Sequence, residues 1–169
     1  KKNMSSNLEK KLRDERYRFF EKTLEKNSIL FMGHHLDDLI ETFFLRALRG
    51  SGIEGLSSIP KERAVGKGKL IRPFLNIPKS EILAKAKKDK LKFIKDPSNK
   101  DISFDRNYLR NKVLPEIENR WPSYRKNLNQ LIENLKESSD LLITHAEKDF
   151  NQVKVKKNLI SLKKFLNLS

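Results

Sequence analysis

The run Ile29-Leu30-Phe31-Met32 is apolar throughout and stops at Gly33, and from Asp37 onward the apolar positions Ile40, Phe43, Phe44, Ala47 and Leu48 recur at spacings of three and four. The first run has the length and content of a fully buried parallel strand. The second has the period of a helix, and Gly50 is placed to end it. A strand passing through a tight loop into a helix commits this part of the chain to an α/β fold. In open α/β sheets, ligands collect just beyond the carboxyl ends of the strands. The residues at that position are His34, His35, Asp37 and Asp38.

The flanking sequence extends this pattern. Ser6-Asn7-Leu8-Glu9 has capping-box spacing, and Leu8, Leu12, Phe19, Phe20 and Leu24 form an apolar stripe, predicting a helix over about 6–26. Lys69-Leu70-Ile71-Arg72 reads as a second short strand ended by Pro73, and Pro78 suits the first turn of a helix through Ile82, Leu83 and Ala86. Asp96-Pro97-Ser98-Asn99 is a turn, and Phe104 to Val113 reads as helix until Pro115 breaks or kinks it. Beyond Pro122, Leu128, Leu131, Ile132, Leu135, Leu142 and Ala146 keep one apolar face through a long helix. The expected division is therefore an α/β part over 1–115 and a helical subdomain over 116–169, with both ends reading as cut.

A chain of 169 residues has room for one ordinary domain with a small attachment. Its 37 Lys and Arg against 22 Asp and Glu give +15, a field that attracts polyanions, nucleic acid first. The alternative is a merely solvated basic surface. No apolar run is long enough to span a bilayer and no export signal opens the chain, so the expectation is a cytoplasmic protein with no membrane association. The absence of cysteine excludes disulfides, thiolate metal sites and persulfide chemistry on the protein's own sulfur.

On a helix, His34, Asp38 and Glu41 share a face, and Asp37 and Glu41 are an i,i+4 pair. Such a group suits Mg²⁺ and phosphate, a transition metal, or general-base work; equally, Asp and Glu are favoured in any first helical turn by the dipole. Gly50-Ser51-Gly52-Ile53-Glu54-Gly55 matches the dinucleotide-binding glycine pattern only formally, because it follows a helix. Arg49 with free amides of this loop would form an anion-binding concavity; a ligand-free connector is the alternative. Arg106 and Arg110 can point the same way toward phosphate oxygens, or form a solvated basic face. Arg13, Arg16 and Tyr17 leave a similar choice open: the alternative is Tyr17 in the core and one Arg paired with Glu9 or Asp14.

Taken in order, Asn7-Leu8-Glu9, Arg13 to Tyr17, His34-His35-Leu36-Asp37-Asp38 with Glu41-Thr42, Arg49-Gly50-Ser51-Gly52, Asp96-Pro97-Ser98-Asn99 and Arg106-Asn107 with Arg110 resemble the tRNA(Ile)-lysidine synthetases, from about Leu8 to Pro115. That resemblance implies an N-type ATP pyrophosphatase on a doubly wound parallel-sheet, adenine nucleotide alpha hydrolase-like domain, followed by tRNA-binding helices. It implies ATP and Mg²⁺ as cofactors, isoleucine tRNA and free lysine as partners, and leaves a homodimer open. The implied reaction adenylates the C2 carbonyl oxygen of the wobble cytidine, after which lysine displaces AMP; the product lysidine moves codon reading from AUG to AUA. Asp37, Asp38, His35 and Arg13 are then the implied catalytic residues. His34, Glu41, Arg49 and Gly50 would bind nucleotide, Asp38 and Glu41 the metal, and Arg106, Asn107, Arg110, Asp96 and Asn99 substrate or RNA. The family's Ser-Gly-Gly-x-Asp-Ser loop, whose amides grip pyrophosphate, is absent from this sequence. The expectation is a fragment that begins mid-domain and is inactive by itself for lack of that loop, with ATP binding by the chain alone left open. A tRNA thiolase of the same superfamily and a non-enzymatic RNA-binding module are the rival readings.

Overall fold

The computed structural model describes residues 2–57, 59–94, 96–156 and 159–168, with side chains from residue 11 onward. Helix α1 (Lys2–Thr23) leads through Asn27, which has a left-handed φ of 66°, into strand β1 (Ile29–Phe31). The helix starts at Lys2, four residues before the start expected at Ser6, so Ser6 lies inside it and not at its N-cap; the side chains of Ser6 and Glu9 lie outside those described. Helix α2 (Leu36–Ala47) follows, then the short α3 (Ile53–Leu56). Strands β2 (Glu62–Val65) and β3 (Gly68–Ile71) come next, with helix α4 (Lys79–Lys88) behind them.

The sheet order is β1-β3-β2, with β1 parallel to β3 (Leu30 opposite Leu70) and β2 antiparallel to it (Arg63 opposite Leu70). The fold is mixed α/β. β1 was expected to be fully buried, yet Ile29 and Phe31 are 52% and 64% exposed, because β1 is an edge of the described sheet and only its β3 side is paired. The β2–β3 hairpin was not expected at all; its strand Glu62–Val65 is polar and short. Its turn contains Gly66 at φ 56°, where an added Cβ would sit 2.4 Å from the Glu21 carbonyl oxygen of α1, so only glycine fits.

A short 3₁₀ turn at Pro97–Lys100 precedes α5 (Asp105–Tyr108), a π turn over Leu109–Val113, and α6 (Leu114–Arg120). Pro115 does not break this segment. Its ring would clash with the carbonyl of Asn111 four residues back; the helix widens instead, with Leu114 N–H donating to Leu109 O, a five-residue step. The expected long helix is α7 (Tyr124–Val153). Its end departs from the expectation of a purely helical tail: β4 (Lys154–Lys156) pairs antiparallel with β5 (Leu159–Ile160), and α8 (Leu162–Phe165) follows.

The core lies between α2 and the later helices. Leu36, Leu39 and Ile40 of α2 cluster with Leu75, Leu109, Leu114, Tyr124 and Ile132. Residues 124 and 132 thus share a core with the α/β part. Among the described residues no helix is long and apolar enough to cross a membrane.

Candidate active site

The loop after β1 delivers His34 and His35 directly into α2. His35 is the N-cap, with extended backbone (φ −126°, ψ 177°). Its Nδ1 accepts the Asp38 N–H at 3.3 Å, and the Asp38 carboxylate accepts the His35 N–H at 3.1 Å. This is a reciprocal capping box built from His and Asp, so the pair satisfies amides that a helix start leaves open. The His35 ring also stands 3.4 Å from Asp38 Oδ2.

Three carboxylates of α2 meet three guanidiniums carried by later helices. Asp37 accepts the Lys79 N–H at 2.8 Å on one oxygen and Arg125 Nε–H at 3.0 Å on the other. Lys79 opens α4, whose N-cap Pro78 has no capping side chain. Asp37 takes that role from a neighbouring helix, where the α4 dipole favours negative charge. Asp38 Oδ1 accepts Arg110 Nη2 at 3.3 Å. Glu41 is 0% exposed and is held bidentately by Arg110, at 2.6 and 2.8 Å, with Arg106 Nε 3.1 Å away. Arg106 Nη2 donates to Thr42 Oγ1 at 2.8 Å, and Thr42 donates to the Asp38 carbonyl at 2.8 Å.

Electrostatics follow from these contacts. Burial pushes the Glu41 carboxyl up, and Arg110 and Arg106 oppose that push without cancelling it. Burial would also raise Asp37, but the Lys79 N–H and Arg125 outweigh it and hold that carboxyl below the ordinary aspartate range. Arg125 is itself raised, chiefly by its hydrogen bond to Glu118. Its guanidinium lies 4.8 Å from the Tyr124 ring centroid.

His34 faces a different set. Arg72, just beyond β3 and 3% exposed, donates Nε–H to His34 Nδ1 at 3.3 Å, Nη1–H to Pro60 O at 2.7 Å and Nη2–H to the Tyr17 hydroxyl at 3.3 Å. Arg63 and Arg13 lie over the Tyr17 ring, 4.4 and 5.6 Å from its centroid. Among the described residues no carboxylate pairs with Arg13, Arg63 or Arg72. Burial, then Arg72, lowers the His34 pKa. A group of arginines without acidic partners suits an anionic ligand.

The structure therefore brings together His34, His35, Asp37, Asp38, Glu41, Arg106 and Arg110, with Arg13 on the Tyr17 side. Other expected residues stand elsewhere. Arg49 Nη2 reaches Asp105 at 3.9 Å on the exposed surface. Gly50, at φ 73°, donates its N–H to Ala47 O, and Ser51 N–H goes to Arg46 O. Those two amides close α2 and are not free to form the expected anion-binding concavity. Asp96 caps the 3₁₀ turn through Ser98 N–H at 2.9 Å, and Asn99 Nδ2 binds Asp96 O at 3.1 Å. Asn107 Nδ2 ties that loop down through Ser98 O and Asp101 O, both at 2.9 Å. These three residues brace a loop. Among the described residues no three His, Asp or Glu side chains converge as metal ligands. With both Glu41 oxygens taken by guanidiniums, Asp38 and Glu41 do not fit the expected Mg²⁺ site. Sequence reasoning missed Arg125 and Arg72, whose partners lie 88 and 38 residues away in the chain.

Residues 1–117 match the family described as PP-loop domain. The chain belongs to the PP-loop domain family. The match covers the β1–α2 site and Arg106 and Arg110. A tRNA(Ile)-lysidine synthase of Pseudomonas fluorescens is 40% identical over 147 residues, 87% of this chain and 33% of that protein. One from Buchnera aphidicola is 48% identical over 126 residues, 75% of this chain and 29% of that protein. One from Coxiella burnetii is 37% identical over 146 residues, 86% of this chain and 32% of that protein. The resemblance read from the motifs is borne out, and this PP-loop chain spans about a third of the length of these curated relatives.

Proposed function

We propose that this chain is part of an enzyme that forms lysidine in isoleucine tRNA, as the names of its relatives suggest. In that reaction the C2 carbonyl oxygen of the wobble cytidine attacks the α-phosphorus of ATP and pyrophosphate leaves. The amine of free lysine then attacks C2, and the oxygen departs with AMP. The observation that carries the reading is the α2 cluster, in which Asp38 and Glu41 are held by Arg106 and Arg110 within 3.3 Å in a chain of the PP-loop family.

Within this reading, Arg13 and Arg63, which have no acidic partner among the described residues, hold phosphate oxygens of ATP or RNA. His34 contacts substrate. Asp38 is held by longer hydrogen bonds, at 3.1 and 3.3 Å, than Asp37, at 2.8 and 3.0 Å, and is the carboxylate that orients the lysine amine. Asp37 and Glu41 are positioning residues, since both oxygens of each are held more tightly, at 2.6 to 3.0 Å. No step is assigned to Mg²⁺. Strands β1, β2 and β3 form one flank of a doubly wound sheet that the edge of β1 continues. Residues 1–115 carry the chemistry and 116–169 contact tRNA, a division by function within a shared core. Because the sequence holds no Ser-Gly-Gly-x-Asp-Ser loop, this chain alone does not complete an ATP site.

The test incubates isoleucine tRNA with ATP, Mg²⁺ and labelled lysine, using this chain and a longer version carrying that loop upstream. Label should enter tRNA only with the longer version, and Asp38→Asn in it should reduce incorporation by at least about 10²-fold, the scale of losing one positioned catalytic group. Unchanged incorporation in the Asp38→Asn protein would sink the reading.

A further inference from the structure

We propose that Arg72 is a positioning residue that holds His34 as the tautomer carrying its hydrogen on Nε2, so that His34 enters the site as a hydrogen-bond donor to an oxygen of the substrate. Arg is a donor only and stays protonated. A ring nitrogen that accepts its Nε–H at 3.3 Å must therefore lack a hydrogen, which places the hydrogen of a neutral imidazole on Nε2.

Arg72 has little freedom to do otherwise. Its other two contacts pin the guanidinium to the Pro60 carbonyl and the Tyr17 hydroxyl, and its own N–H bonds the Lys61 carbonyl at 2.9 Å. The loop carrying His34 is registered to the same place, because Met32 N–H donates to Ile71 O at 2.9 Å. The groups acting on His34 come from four directions: Arg72 after β3, Asp38 from α2, Arg106 from α5 and Arg16 from α1. Three cations against one anion oppose the imidazolium. Among the described residues Nε2 has no partner, and the ring is half-buried, leaving that hydrogen for an incoming acceptor.

A neutral donor at this point rules out His34 as the proton acceptor for the lysine amine. It suits an oxygen that gains negative charge, such as a phosphoryl or pyrimidine carbonyl oxygen. The tautomer stands on the geometry alone; its use on such an oxygen rests on the lysidine-forming reading.

The test is long-range ¹H–¹⁵N correlation on the ¹⁵N-labelled 169-residue chain, with the His34 signal assigned by its loss in His34→Gln. The wild-type spectrum should show an unprotonated Nδ1 and a protonated Nε2, persisting to pH below the ordinary histidine range. Arg72→Gln should give a mixture of tautomers and move the titration upward toward that range, and Arg72→Lys should restore part of the preference. A hydrogen on Nδ1 in the wild type overturns the proposal whatever the variants do. So does a folded Arg72→Gln chain whose His34 tautomer and titration are unchanged. Failure of lysine transfer in the longer protein, with the tautomer as stated, would overturn the functional reading and leave this one standing.

Discussion

Asp37 and Asp38 are adjacent and of one type, yet they do different work. Asp37 is held at 2.8 Å by the Lys79 N–H of a neighbouring helix and at 3.0 Å by Arg125, whereas Asp38 caps its own helix through the His35 N–H at 3.1 Å and meets Arg110 at 3.3 Å. Removing Arg125 leaves a largely buried carboxylate with one partner. Arg125→Ala should therefore destabilise by about 1–3 kcal/mol, measured by urea unfolding at pH 7. Asp37 also has a definite pH signature. Its folded pKa lies below the unfolded value of about 3.9, so its stabilisation is complete above that pH and is lost as pH falls through the folded value. Glu41, raised by burial, works with the opposite sign: its share of stability declines as pH rises through its folded pKa. The difference between wild type and Asp37→Asn isolates the Asp37 part. That difference should shrink as pH is lowered below about 3.9; one that stays constant would contradict the assignment.

At the scale of elements, α2 was legible because its apolar period and first-turn acids lie within twelve consecutive residues. The β2–β3 hairpin was not, since Glu62–Val65 has no alternation, and only its turn glycines and pairing with Gly68–Ile71 define it. Gly66 is its critical residue. Gly66→Ala meets both a left-handed φ and the Glu21 carbonyl, and should lower stability by about 1–3 kcal/mol in thermal or urea unfolding. The π turn before Pro115 was equally hidden, because a proline announces only that an ordinary helical hydrogen bond is lost. Whether the chain breaks or widens depends on what Leu109 and Leu114 pack against, and both lie in the core.

For the whole molecule, α7 both completes the core and supplies Arg125 to the site. Ile132→Ala should cost about 2–5 kcal/mol and loosen α2 with it, read as a lower unfolding midpoint and a shifted His35 spectrum. The net charge of +15 predicts tRNA binding that weakens steeply between 50 and 200 mM salt, by roughly 10³-fold or more if six or more phosphates are contacted. Binding insensitive to salt would count against a phosphate interface. Sequence alone determined the strand-loop-helix order, the carboxylates and histidines at the strand end, the basic charge and the family, since each is written in residues close together in the chain. Only tertiary structure decided which of those residues are already spent. Asp37, Glu41 and His34 acquire their partners from Arg125, Arg110 and Arg72, and a side chain 38 to 88 positions away leaves no local periodicity or spacing by which the sequence could announce the pair.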